Sequence, residues 1–183
     1  MTTTTLENDW LLKTGRIFST IFWIFLVSLA VVCGVIAVLA SIAGLVQLLS
    51  PETVARISDE PLLAREALGV AGLLALLSAV LLLGARFFKL LAQIIETVGQ
   101  GDPFTAQNAD RLHQMGMINL LVFAVSMIAA GGVMLYVGVF DQTVEDFTLD
   151  ISLESLFLAI LLFILARVFR HGAAMRADLE GTV

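Results

Sequence analysis

Charge, cysteine and histidine are all scarce in this 183-residue chain. Charged side chains make up 14% of it, and 10 lysines and arginines face 16 aspartates and glutamates, for a formal net charge of −6. That balance is opposite to the basic footprint of phosphate contacts, so direct nucleic-acid binding is not expected. The single cysteine, Cys33, excludes an internal disulfide framework and is expected to pack inside a helix. The two histidines, His113 and His171, have no cysteine beside them and no carboxylates at metal-ligand spacing, so no metal is expected. No G-x-S-x-G, H-E-x-x-H or P-loop pattern occurs, and Gly99-Gln100-Gly101 holds too few glycines to cradle a phosphate. The expectation is a protein that is not an enzyme and carries no cofactor.

Apolar side chains are what the sequence has instead, at 59% of all residues, a share outside the range of soluble domains. A helix needs about 20 mostly apolar residues to cross a hydrocarbon core of roughly 30 Å. Four stretches qualify, at about 17–49, 67–89, 115–139 and 151–169. The first is long enough that it must tilt, bend or protrude. It also exceeds the 7–15 apolar residues typical of a cleaved secretory leader. The fourth carries Glu154 and Arg167 near its ends, where long side chains can reach toward headgroups. The predicted fold is therefore all-α: one integral membrane domain over 1–183, with four transmembrane helices.

Orientation follows from the bases, which short cytoplasmic loops retain. Lys13, Arg16, Arg86, Lys89, Arg111, Arg167, Arg170 and Arg176 fall in the N-terminal segment, in the connection 90–114 and the tail 170–183 or at the span ends that adjoin them, against Arg56 and Arg65 in the other two loops. Both termini and the connection are expected on the cytoplasmic side of a bacterial inner membrane. Lys13, Arg16, Arg86, Lys89, Arg167 and Arg170 would be interface anchors against membrane lipid. The loop with Asp141, Glu145, Asp146, Asp150 and Glu154 would face outside, either as a solvated turn or as a cation site, although its spacing matches no calcium loop.

Small residues at three- and four-residue steps, Ala30, Gly34, Ala37, Ser41 and Gly44, together with Gly69, Gly72, Gly131 and Gly132, are candidates for close helix packing. The same stripes could build a homodimer. A two-helix duplication is also suggested: Ala85-Arg86-Phe87-Phe88-Lys89 parallels Ala166-Arg167-Val168-Phe169-Arg170, and Asp9, Leu11, Gly15 and Ile17 parallel Asp110, Leu112, Gly116 and Ile118.

The elaborated polar element is the connection, read as a cytoplasmic helical hairpin. Leu90, Leu91, Ile94, Ile95 and Val98 extend a helical pattern past the second span until Gly99 and Gly101 end it. Asp102-Pro103 turns the chain, and Thr105 is placed to cap the next helix with Asn108 at the reciprocal third position. Phe104 should pack onto the first turns of that helix. The result is a rigid knob. Either it only turns the chain, or Asp102, Phe104, Thr105, Asn108 and Arg111 form a surface that binds a partner; the tail 170–183 is a second candidate surface.

The pattern G-x-P-F-T-x-x-N-x-x-R-L, at Gly101, Pro103, Phe104, Thr105, Asn108, Arg111 and Leu112, resembles that of the YoaS-like family of small four-span bacterial membrane proteins, a domain of unknown function. His113-Gln114-Met115 departs from the basic residues more common there. The resemblance implies a gene beside a small helix-turn-helix regulator, and hence a non-enzymatic membrane protein that binds or sequesters that regulator. The alternative is a small transporter or exporter, which the few polar side chains at membrane depth, Gln47, Ser78, Asn119 and Ser126, do little to support.

Overall fold

A computed structural model describes residues 10–50, 52, 64–140 and 153–180. Among these residues lie four long helices: α1 (Trp10–Leu49), α2 (Ala64–Gly99), α3 (Ala106–Phe140) and α4 (Glu154–Glu180). Each is long and apolar enough to cross a membrane. At 1.5 Å per residue, the 40 residues of α1 make a rod of about 60 Å and the 27 of α4 one of about 40 Å, so every helix outruns a bilayer core. The acidic residues Asp141, Glu145, Asp146 and Asp150, the loop residue Arg56, the first two residues expected of the fourth span and residues 181–183 lie outside the described residues.

All four helices extend beyond the spans expected from hydropathy, α3 by its start at Ala106. α1 starts at Trp10, not near 17, and α2 runs without a break from the apolar stretch through Lys89 to Gly99, as the spacing of Leu90, Ile94 and Val98 predicts. α4 likewise runs on past the expected span, through the tail residues from 170 to Glu180. Ala173, Ala174, Met175, Arg176 and Ala177 are good helix formers, and their propensity carries the helix past Gly172.

Contacts between residues divide the chain into two compact units, Met1–Ile24 with Leu83–Val183, and Phe25–Leu82. Within Phe25–Leu82 the two helices approach through small residues. Ala30, Ala37, Ala67 and Ala71 are buried, and a Cβ on Gly34 would stand 3.3 Å from the Ser78 hydroxyl. That hydroxyl donates to the Ala30 carbonyl at 2.9 Å. Cys33 is buried beside this stripe, as its expected packing role requires. The glycines Gly72, Gly131 and Gly132 behave otherwise: a Cβ on any of them meets nothing within 4 Å, so they are not sites of close approach.

In the other unit the core is built by α2, α3 and α4. Leu90 and Ile94 from α2 meet Leu112, Met115 and Ile118 from α3 and Leu162 and Ala166 from α4. Gly116 lets α4 come close, since a Cβ there would sit 2.8 Å from the Phe163 ring. α1 joins through Ser19, fully buried, whose hydroxyl donates to the Phe88 carbonyl at 2.9 Å, and through Phe22 against Phe88, with ring centroids 4.6 Å apart. In both suggested repeats the glycine of the first helix faces the second helix of its pair, but at different registers. Gly15 faces Ile95 while its counterpart Gly116 faces Phe163, whereas the offset between Arg86 and Arg167 would place Arg176 opposite Gly116.

Large apolar side chains stay exposed along all four helices, including Leu49 at 76% and Phe157 at 70%. Contiguous apolar surface on this scale is foreign to soluble monomers.

Candidate functional site

The connection between α2 and α3 is built by two helix caps set back to back. At the end of α2, the Gly101 amide donates to the Val98 carbonyl at 3.0 Å and the Asp102 amide to the Thr97 carbonyl at 3.2 Å. This crossed pair of bonds needs a left-handed residue at Gly101, whose φ is +84°. Gly101 is therefore the residue that ends α2, while Gly99 remains inside the helix. Four residues later Thr105 caps α3: its hydroxyl accepts from the Asn108 amide at 3.1 Å, as the sequence spacing predicts.

The reciprocal half of that cap is different. The Asn108 side chain turns away from the cap and joins the two helices. Its Nδ2 donates to the Thr97 hydroxyl at 2.8 Å and to the Pro103 carbonyl at 2.9 Å, and its Oδ1 accepts from Arg111 Nη1 at 2.8 Å. The Thr97 hydroxyl donates its own proton to the Ile94 carbonyl at 2.8 Å. Both amide protons and the carbonyl of Asn108 are thus used, which removes the cost of its complete burial. Asn108 was expected on the exposed surface; at 0% exposure it cannot touch a partner and instead holds the turn.

Arg111 is half-buried by the same arrangement, with Nη1 also 3.4 Å from the Gln93 carbonyl. Phe104 differs from expectation too. Its ring packs on α4, 5.1 Å from the Phe169 centroid, and a Cβ on Gly172 would lie 2.9 Å from it. It remains 45% exposed. Asp102 pairs with Arg176, and Asp110 pairs with Arg170 at 2.7 Å. The two surfaces that the sequence keeps apart, connection and tail, therefore form one face.

The remaining basic residues ring the same end of the bundle. Arg16 pairs with Glu96 at 3.2 Å, and Arg86 Nη2 donates to the Gln114 amide oxygen at 3.3 Å. The Lys89 ammonium stands 5.7 Å from the centre of the Trp23 ring, within cation–π reach. Lys13 and Arg167 are exposed on α1 and α4. The His113 ring packs on Phe163, at 5.2 Å between centroids, and His171 is exposed. Among the described residues no three histidines, cysteines or carboxylates gather where they could hold a metal.

Sequence reasoning missed Thr97, Gly172 and the acceptor role of Asp110. Thr97 sits eleven positions before Asn108 on the far side of a turn, and only a prior decision that Gly101 reverses the chain would pair them. Comparison with known proteins finds no family model, no curated protein and no solved structure that matches the chain.

Proposed function

We propose that this chain is a non-enzymatic, multi-pass regulatory protein of the bacterial cytoplasmic membrane. Its termini and its α2–α3 connection face the cytoplasm, and there it binds and sequesters a small helix-turn-helix transcription regulator. The observation that carries this reading is the joining of connection and tail into one preformed polar face by Asp102–Arg176, Asp110–Arg170 and the seating of Phe104 against Gly172. A turn whose only task is to reverse the chain needs its two caps; it does not need two ion pairs and an aromatic side chain locked to a third helix. The resemblance of residues 101–112 to the YoaS-like pattern supports the class of partner.

Within that face the contact residues are Phe104, half exposed, and the rims Asp102, Gln107 and Asp110, while Thr105, Asn108 and Arg111 hold the face in shape. Sequestration of this kind asks for no reacting group, only a surface that competes with DNA or with regulator dimerisation. Two of the four polar side chains expected at membrane depth are occupied in packing: Ser78 bonds to α1, and the Asn119 amide donates to the Ser155 carbonyl. They offer a transported ion little coordination.

A photoreactive residue at position 104 in living cells tests the reading. It should capture a small DNA-binding regulator, which should sediment with membranes only when this chain is present. A regulator that stays soluble in both cases, or substrate flux through reconstituted vesicles, would sink the proposal in favour of transport.

A further inference from the structure

Between the polar halves of α2 and α3 lies a groove that meets the partner-binding face at Gln107, Asp110 and Arg111 and otherwise extends away from it. Arg86, Lys89 and Gln93 line it from α2, and Gln107, Arg111 and Gln114 from α3, over a floor at Leu90. Asp110 stands on its rim, but that carboxylate is paired with Arg170. Among the described residues, none of Arg86, Lys89 and Arg111 forms an ion pair. Their donors are only partly used. Arg111 commits Nη1 to Asn108 and Gln93, which orients its guanidinium and leaves Nε and Nη2 without a protein acceptor among the described residues. Among the described residues, Arg86 gives one bond, to Gln114, and Lys89 stands over the Trp23 ring. Three converging cations with spare donors, one of them positioned by a buried asparagine, make a receptor for an anion with several oxygens.

The surface below the groove says which anion. On α3, Gln107, Arg111 and Gln114 fall at helical spacing with Ile118 and Leu121. There an open apolar groove is lined by Met117, Ile118, Leu120, Leu121 and Ala124. Arg111 and Leu121 are about 15 Å apart along the helix. The charged head site thus borders, at Gln114, an apolar track that runs down the same helix along Met117 and Leu121, and Trp23 beside Lys89 is the residue type that favours the headgroup level. A free phosphate would leave the track uncovered; a phospholipid covers both.

We infer that the α2–α3 groove is a binding site for one anionic phospholipid, with its phosphate held by Arg86, Lys89 and Arg111 and an acyl chain laid along Met117 and Leu121. The site rests on the membrane placement proposed above but not on the regulator, so either can fail alone. Occupancy would fix the angle between α2 and α3 directly beneath the partner-binding turn.

The test is native mass spectrometry of the full chain, purified in neutral detergent and titrated with phosphatidylglycerol or with phosphatidylcholine of the same acyl chains. Phosphatidylglycerol should be retained preferentially. Arg86→Gln and Lys89→Gln should each weaken its binding about fivefold, and together roughly 25-fold, with helical circular dichroism unchanged. Arg167→Gln removes an equal charge outside the groove and should change binding less than twofold. Equal retention of the two lipids, or an equal loss in Arg167→Gln, would overturn the site. Displacement of the lipid by millimolar inorganic phosphate or glycerol 3-phosphate would overturn it as well, by assigning the groove to a free phosphate. Carbonate extraction of membranes reads the underlying membrane placement separately.

Discussion

Asn108 shows how one side chain can hold a turn. Each of its polar atoms is matched, and each partner sits on a different stretch of chain: Thr97 at the end of α2, Pro103 in the turn, Arg111 on α3. Asn108→Ala removes three bonds at once and leaves the half-buried Thr97 hydroxyl and Pro103 carbonyl, enclosed at the turn, each one partner short. Buried groups orphaned in this way cost about 1–3 kcal/mol, so we expect a loss of about 2 kcal/mol in denaturant unfolding in detergent micelles. A change below about 0.5 kcal/mol would show that water replaces the amide without penalty. Two glycines make a sharper contrast at the same scale. Gly116→Ala puts a methyl within 2.8 Å of the Phe163 ring at a buried helix crossing, so it should destabilise by about 1–2 kcal/mol despite alanine's better helix propensity. Gly72→Ala meets open space and should stabilise by up to about 1 kcal/mol. The same unfolding measurement decides both, and equal signs would refute the packing account.

Among the elements, α2 and the start of α3 were legible because their signals are local. The period of Leu90, Ile94 and Val98 continues the helix, and a threonine three residues before an amide that needs a cap starts the next. What was not legible depends on pairing across the turn. An asparagine in a first helical turn reads as surface, and its burial follows only once Thr97 and Pro103 are brought to it. The α4 extension was obscured in the same manner, since Gly172 and a run of charges resemble an ending until Arg170 and Arg176 find Asp110 and Asp102. These pairs are about half exposed, where such bridges contribute about 0.2–1 kcal/mol each, so their work is to hold the last turns of α4 and not to stabilise the bundle. Asp110→Arg should speed trypsin cleavage after Arg176 several-fold while moving the unfolding midpoint little. Adding Arg170→Asp, which restores the pair with its charges exchanged, should slow cleavage back toward the parent rate. Failure of the double variant to do so would mean that the tail is held by the Phe104 contact and the Asp102–Arg176 pair without help from Asp110.

For the molecule as a whole, the basic ends of the helices decide the most. Arg16, Arg86, Lys89, Arg111, Arg170 and Arg176 collect with the α2–α3 turn, while α1 from 17 to 50 has no charged side chain at all. The cytoplasmic placement of the turn proposed above rests on this asymmetry, because moving arginines and lysines across a membrane costs far more than retaining them. Cysteine labelling tests it, and the chain is convenient for the purpose: its single cysteine, Cys33, is buried and can be removed as Cys33→Ala. On that background Gln107→Cys sits on the exposed side of the turn and Ser50→Cys just beyond the far end of α1, and neither native side chain is buried. A membrane-impermeant maleimide applied to intact cells should label Ser50→Cys and spare Gln107→Cys until the membrane is opened. The reverse pattern would put the turn outside, where no transcription regulator could reach it. Labelling of both in intact cells would deny that the helices cross the bilayer, and both the partner face and the lipid groove would then need another explanation.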